Sequence, residues 1–222
     1  MASSTPKRLI VGITGATGVI YGVRALELLR QADVETHVVM SSWAVRTMQH
    51  ETSYTADDIK RLANYWYNAN DMGAAISSGS FVTEGMLIVP CSVRTLAAIA
   101  SGVGEHLVHR AADVILKEQR KLVLAVREAP FNQVHLENML KLARMGVVIS
   151  PPVPAFYSHP RSIEELVDHT VMRLLDQFGL HADVVPRWVG NMKAGRVAAT
   201  PPDAPAKPAP KPRDPDGKRK AQ

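Results

Sequence analysis

Three glycines at intervals of three follow the first apolar run of the chain. Residues 9–11 are apolar, and Gly12, Gly15 and Gly18 come next. Glycine lets a backbone approach a ligand closely, and the first N–H groups of a following helix attract an anion. The spacing differs from the dinucleotide and Walker fingerprints, so it does not favour a pyrophosphate. The alternative is a tight turn whose glycines serve only helix–sheet packing.

Hydroxyl side chains stand where the first two predicted strands end. Thr14 and Thr17 lie in the glycine turn, and Ser41 ends the second strand. An NAD ribose is usually held by an Asp or Glu at that second position. A flavin mononucleotide, with one phosphate and a polar ribityl chain, fits hydroxyl-rich strand ends better. These residues therefore favour FMN over NAD.

The segment at residues 89–102 contains a predicted strand end and helix start. Ser92 is placed to cap the helix, with Arg94 and Thr95 in its first turn. Arginine is unfavourable at the positive end of a helix dipole, so a negative group is expected nearby unless Arg94 points to solvent. Cys91, the single cysteine, is interpreted as a small buried hydrophobe rather than a nucleophile.

Two further groups of charges lie on later elements. Arg127 and Glu128 end a very apolar strand, where charges need partners or a ligand, although a surface ion pair is the alternative. Arg110, Asp113 and Lys117 share one predicted helix face. That face is either a solvated stripe or a cationic rim over a phosphate.

A proline-rich loop and a histidine pair complete the candidates. The prolines of residues 151–157 stiffen a loop that presents Tyr157, a possible aromatic wall and hydrogen-bond donor to a phosphate. Arg173 is the nearest cation in the last predicted helix. His106 and His109 have helical spacing, but no third ligand stands out, so no metal site is predicted.

Alternating strands and helices predict how these residues are positioned. We expect an α/β fold with a parallel sheet and helices on both faces, and ligands beyond the carboxyl ends of the strands. Strands are predicted at residues 8–14, 34–40, 85–90, 121–126 and 147–150. Helices are predicted at residues 19–31, 42–50, 55–62, 92–100, 106–119, 133–144 and 162–178.

Composition limits the class of protein. With 222 residues and 46% hydrophobic content, the chain can form one large domain, predicted at residues 1–190, before a disordered Pro/Lys-rich tail at 191–222. The net charge is +5, of which +3 lies in residues 201–222, so a basic face for nucleic acid is not indicated. One cysteine and the absence of a secretory signal or a long apolar run favour a cytoplasmic protein away from membranes.

Several segments together resemble the UbiX/Pad-type flavin prenyltransferases. They include "KRLIVGITGATGVIYGVRALELL", "VPCSVRTLAAI", "RAADVILKEQRKLVLAVREAP", "PPVPAFY" and "TVMRLLDQFG", in order between about residues 7 and 188. The resemblance implies a Rossmann-like flavoprotein that forms a homododecamer with active sites at subunit junctions. It also implies metal-free transfer of a dimethylallyl group from dimethylallyl phosphate to N5 and C6 of reduced FMN. The product, prenylated FMN, would serve a UbiD-type decarboxylase.

The resemblance also implies roles for individual residues. Contacts with FMN are implied for Gly15, Ala16, Thr17, Ser41, Ser92, Val93, Arg94, Thr95 and Arg127. Contacts at the prenyl-phosphate end are implied for Arg110, Lys117, Arg127, Glu128, Tyr157 and Arg173, with Trp188 as an aromatic side chain nearby. Catalytic roles fall to Thr17, Glu51, Lys117 and Glu128, with Glu128 as the proton acceptor in ring closure.

Thr17 departs from the family pattern, which usually has serine at that position. It keeps the hydroxyl and adds a methyl group, which puts the rate in question more than the fold. Two other functions stay open at the level of sequence. One is a flavin-dependent peptidyl-cysteine decarboxylase, and the other is a non-catalytic FMN-carrying subunit of an aromatic-acid decarboxylase.

Overall fold

A parallel sheet of six strands forms the centre of the computed structural model, which describes residues 7–188 and 190. The strand order is β3-β2-β1-β4-β5-β6. The strands are β1 (Arg8–Ile13), β2 (Glu35–Met40), β3 (Tyr65–Tyr67), β4 (Gly85–Cys91), β5 (Lys121–Val126) and β6 (Val148–Ile149). This confirms the predicted parallel α/β fold.

Helices follow the strands along the chain, close to the predicted bounds. They are α1 (Val19–Gln31), α2 (Ser42–Glu51), α3 (Ala56–Leu62), α4 (Val93–Ser101), α5 (Leu107–Lys117), α6 (Gln133–Arg144) and α7 (Ile163–Asp176), with a 3₁₀ turn at Ala75–Ser77.

Two strand predictions need correction. The strand expected at residues 147–150 is only two residues long, and β3 was not predicted. A three-residue strand is too short for an alternating pattern. β3 forms by pairing with β2, where Tyr65 lies opposite His37 and stacks on its ring at 4.7 Å.

Apolar side chains cover both faces of the sheet. Along β1, Leu9, Val11 and Ile13 belong to one buried cluster, and Ile10 belongs to the other. The first cluster includes buried residues of α1 and α7, and the second includes those of α4 and α5. Each fully buried Val, Leu or Ile contributes about 1.5–3 kcal/mol, so the two layers hold the sheet between the helices.

The order in which successive strands join the sheet reverses at β1, although all six strands stay parallel. β1 pairs with β2 on one side and with β4 on the other, which opens a crevice beyond the carboxyl ends of β1 and β4. Thr14 joins these two ends. Its hydroxyl donates to the Pro90 carbonyl at 2.9 Å and accepts from the Ser92 N–H at 2.8 Å. The reversal therefore predicts where a ligand binds.

The described residues up to Arg187 belong to one compact unit, and Trp188 falls in a second unit. The predicted disordered tail at residues 191–222 lies outside the described residues, so it and the predicted boundary after residue 190 stay predictions. Within the described residues, we find no helix with the length and apolar character needed to cross a membrane.

Candidate functional site

A cleft of about 900 Å³ lies at the carboxyl edge of the sheet. Its walls come from the turns that follow five strands, β1 to β5, as expected for a parallel sheet. The predicted cofactor-binding residues all line it, together with Glu128. They are Gly15, Ala16, Thr17, Ser41, Ser92, Val93, Arg94, Thr95 and Arg127.

The glycine turn is required in part by packing. A Cβ atom on Gly15 would lie 2.4 Å from the Cβ of Trp43, so the approach of α2 leaves no room for a side chain. Gly18 has φ of 93°, a left-handed conformation that favours glycine. Close packing therefore accounts for glycine at position 15, and backbone conformation accounts for glycine at position 18. The turn that contains them also lines the cleft through Gly15.

Helix α1 begins against a carboxylate from the same chain. One Glu51 oxygen accepts hydrogen bonds from the Gly18 N–H at 2.8 Å and the Val19 N–H at 3.2 Å. The turn was expected to direct these N–H groups toward a bound anion, and the anion they contact is Glu51. Glu51 itself is not among the residues that line the cleft.

Helix α4 begins at the cleft itself. The Ser92 hydroxyl accepts from the Thr95 N–H at 3.2 Å and donates to the Thr95 hydroxyl at 3.1 Å. Ser41 caps α2 in the same way, accepting from the Ala44 N–H at 3.1 Å. The two predicted serines thus set the first turns of helices that line the cleft, and the start of α4 offers N–H groups and hydroxyls to an anion.

The cations of the cleft differ in their partners. Arg94 pairs with Glu105 at 3.0 Å, which supplies the negative group expected near it. The Arg127 backbone N–H donates to the Cys91 carbonyl at 2.9 Å, and its side chain lines the cleft. Across the described part of the chain, the Arg127 side chain has no carboxylate within ion-pair distance. Arg127 therefore has its charge available for a ligand.

Glu128 was considered as half of a surface ion pair with Arg127, and the structure has no such pair. Its carboxylate instead accepts from the Ala129 N–H at 3.0 Å. Glu128 stays at the cleft wall as a carboxylate that could take a proton.

Four residues predicted for the substrate end, Arg110, Lys117, Tyr157 and Arg173, do not line this cleft. Arg110 donates to the Ser77 carbonyl and pairs with Asp113 at 2.7 Å, and Lys117 pairs with Glu118. Tyr157 and Arg173 lie near or in α7. The Tyr157 hydroxyl lies 2.6 Å from Nε2 of His169, Arg173 pairs with Asp176 at 2.7 Å, and Trp188 belongs to the second unit.

Aromatic and histidine side chains form a cleft wall that the sequence analysis missed. Trp43, Trp66 and Tyr67 all line the cleft. The signal was the aromatic run Tyr-Trp-Tyr, which became a wall only through the pairing of β3. His106 and His109 also line it, with stacked rings 3.9 Å apart.

Both histidines of this wall are neutral near pH 7. Burial lowers the pKa of His109 to about 4 and lowers the pKa of His106 as well. Among the residues that the structure describes, no three His, Cys, Asp or Glu side chains are grouped to hold a metal ion. Burial also raises the pKa of the Cys91 thiol far above its usual range, which agrees with its interpretation as a buried hydrophobe.

A family model described as Flavoprotein matches residues 2–175. The chain belongs to this family, and within it to the UbiX-like flavin prenyltransferases. A probable UbiX-like flavin prenyltransferase of Bacillus subtilis (strain 168) is 57% identical over 186 residues, which is 84% of this chain and 91% of that protein.

Two solved structures have the same fold at high identity. A crystal structure of a UbiX protein (PadA1) in complex with FMN and dimethylallyl pyrophosphate has a TM-score of 0.83 and 51% identity, covering 84% of this chain and 99% of that one. A dodecameric FMN-dependent UbiX-like decarboxylase from Escherichia coli O157:H7 has a TM-score of 0.81 and 55% identity, covering 82% and 100%.

Proposed function

We propose that this enzyme transfers a dimethylallyl group from dimethylallyl phosphate to N5 and C6 of reduced FMN. The product is prenylated FMN, which a UbiD-type decarboxylase receives. The observation that supports this most directly is the cleft beyond the carboxyl ends of β1 and β4, which the start of α4 and Arg127 both line.

The phosphate of FMN binds at the start of α4. Ser92 and Thr95 supply hydroxyls there, the first N–H groups of the helix point the same way, and Arg127 supplies a positive charge. Helix α1 is a poorer site because Glu51 already accepts from its first two N–H groups. The cleft volume of about 900 Å³ lies within the range of cofactor pockets, which is about 300–1,000 Å³.

Residues of the chain stabilise the charge that develops in the reaction and accept the proton that is released. Bound reduced FMN supplies N5 as the nucleophile that displaces the phosphate, so the allylic C–O bond breaks and the N5 proton passes to the released phosphate. That phosphate then protonates the remaining C=C double bond, and C6 attacks the resulting tertiary carbon to close the ring. Arg110, Lys117 and Arg173 stabilise the charge on the leaving phosphate. Glu128 takes the proton that leaves C6 when the ring closes. Thr17, at the cleft wall, keeps the hydroxyl of the usual serine.

A neighbouring subunit completes the substrate end. Arg110, Lys117, Tyr157 and Arg173 do not line the cleft of a single chain, so residues from another copy are needed to bring such groups to it. The exposed face of α6 supports an interface. Leu136 and Leu140, four residues apart, are 54% and 51% exposed in the single chain. We propose a homododecamer built on such contacts.

A turnover assay tests this function. The purified protein is mixed under anaerobic conditions with reduced FMN and dimethylallyl phosphate, and the flavin is analysed by mass spectrometry. The expected result is a mass gain of one C5 unit. Unchanged FMN on a protein that binds it would favour the carrier alternative. Decarboxylation of a peptide with a C-terminal cysteine would favour the decarboxylase alternative.

Two variants assign the roles in the same assay. Glu128→Gln and Lys117→Ala are expected to bind FMN with unchanged affinity and to abolish the mass gain, because each removes a group that acts on the leaving phosphate or the proton. Thr17→Ser is the matched control, and it should keep full turnover or increase it. Normal turnover of either variant would remove that residue from the mechanism.

The location in the cell is also a proposal. We propose that the protein works in the cytoplasm, and the buried free thiol of its single cysteine, Cys91, agrees with a reducing compartment. Cell fractionation with an antibody to the native chain checks this.

A further inference from the structure

An exposed ion pair crosses the wall of the cleft next to the start of α4. Arg94, in the first turn of α4, lies 3.0 Å from Glu105, in the segment that leads into α5. Both side chains line the cleft, and they are 76% and 55% exposed. The pair therefore lies in solvent at the end of the cleft where Ser92 and Thr95 offer hydroxyls.

A phosphate at the start of α4 would bind Arg94 more strongly than Glu105 does. Its charge lies at the positive end of the α4 dipole, which is unfavourable unless a negative group is near. An exposed ion pair such as that with Glu105 contributes little, so little is lost when it opens. A phosphate at the start of α4 has more charge and several acceptor oxygens, and it binds arginine more strongly.

Among the residues that the structure describes, Arg94 is the one cation within ion-pair distance of Glu105. His106 and His109 follow it in the sequence, line the same cleft and are neutral near pH 7. Once Arg94 has turned to a phosphate, Glu105 is left as an unpaired negative charge near a second negative charge. That repulsion opposes a phosphorylated ligand and has no effect on an unphosphorylated one.

We propose that Glu105 is a specificity-determining residue that competes with the cofactor phosphate for Arg94. The inference rests on the proposed FMN site. It states that Glu105 weakens FMN binding and leaves riboflavin binding unchanged, because riboflavin has no phosphate. Arg94 acts in the opposite sense, and the two effects are coupled through one ion pair.

Titration of the purified full-length protein with FMN and with riboflavin tests this, with flavin fluorescence as the readout. Glu105→Gln keeps the size and removes the charge, and it should tighten FMN binding by about threefold to tenfold. Arg94→Gln should weaken FMN binding by about tenfold or more. Riboflavin affinity should stay the same in both. Asp33→Asn, before β2 at the opposite edge of the sheet, is the control for a general change in charge.

The double variant separates competition from simple repulsion. If Glu105 acts through Arg94, Glu105→Gln should improve FMN binding less in the Arg94→Gln background than in the wild type. An unchanged or weaker FMN affinity of Glu105→Gln would overturn the proposal, and so would an equal change for riboflavin. If the wild type binds no FMN at all, the proposed function fails instead, so the two failures are distinguishable.

Discussion

At the scale of single residues, the structure shows Glu51 closing the start of α1. A match to the family implies a catalytic role for Glu51, but its visible contacts are with the Gly18 and Val19 N–H groups. A carboxylate at this position satisfies donors and complements the helix dipole. Glu51 therefore holds the glycine turn in place, whatever else it does in the reaction.

This contact predicts an effect on stability. Glu51→Ala should lower the free energy of unfolding by about 1–2 kcal/mol, and Glu51→Gln by less, because glutamine keeps an acceptor and loses only the charge. Urea unfolding followed by circular dichroism measures both. If neither variant changed stability while both stopped turnover, the role of Glu51 would be chemical alone.

His109 predicts a dependence of stability on pH. Its pKa is about 4 in the fold and about 6.5 when unfolded, so the unfolded chain binds more protons between these values. The contribution is complete above pH 6.5 and is lost as the pH falls toward 4. The loss is about 3 kcal/mol at most. His109→Phe should flatten the curve of unfolding free energy against pH in this window.

The control for that experiment is a second apolar replacement at the same position. His109→Leu also removes the titrating ring, and it should flatten the pH curve as His109→Phe does. A curve for His109→Phe that still falls as steeply as the wild type would show that other groups cause the loss.

At the scale of elements, the close approach of α2 to the glycine turn shapes the cleft. The backbone of the Gly15 turn packs directly against the Cβ atom of Trp43. The distance between the turn and α2 is therefore set by their main chains and not by flexible side chains. Trp43 then stands over the cleft with Arg46 against its ring at 5.1 Å. The aromatic wall is thus a consequence of how α2 packs.

This packing predicts a specific pair of variants. Gly15→Ala should destabilise the fold by about 1–3 kcal/mol, since the added methyl lies 2.4 Å from the Trp43 Cβ. Trp43→Ala keeps that Cβ and should not restore stability, whereas Trp43→Gly removes it and should recover part of the loss. Thermal unfolding of the single and double variants checks this, and rescue by Trp43→Ala would contradict it.

At the scale of the whole molecule, the single chain lacks the predicted cations at the substrate end of its cleft, and it leaves the apolar face of α6 exposed. Leu142 is the one buried residue of α6, whereas the other helices of similar length bury several. Exposed apolar side chains on one helix, grouped as on α6, mark an interaction surface. Assembly would cover this face and bring groups such as Lys117 toward a cleft.

We therefore expect Leu140→Glu to break the assembly. Size-exclusion chromatography with light scattering should show a smaller species, and prenyl transfer should fall while FMN binding by the smaller species is kept in part. Asp33→Lys, a charge change at the opposite edge of the sheet, should leave the mass unchanged. A Leu140→Glu protein of wild-type mass would show that α6 is not the interface.

Much of this protein was determined by the sequence alone. The order of apolar runs and helical periods predicted α1 to α7, and five of the six strands, because these patterns are local. The same local logic placed hydroxyls and glycines at strand ends, and a parallel sheet must bring those ends to one edge. Gly15, Ser41, Ser92 and Arg127 therefore line one cleft, as predicted.

Only the tertiary structure decided which partner each group has. Glu51 and Gly18 are 33 residues apart in the chain, and Arg94 and Glu105 are 11 apart, so no local pattern could pair them. β3 and its aromatic wall likewise depend on an edge of β2 that exists only once the sheet has formed. Composition and periodicity report what a residue prefers near its own place in the chain, whereas charge pairing and close packing depend on distances that folding alone creates.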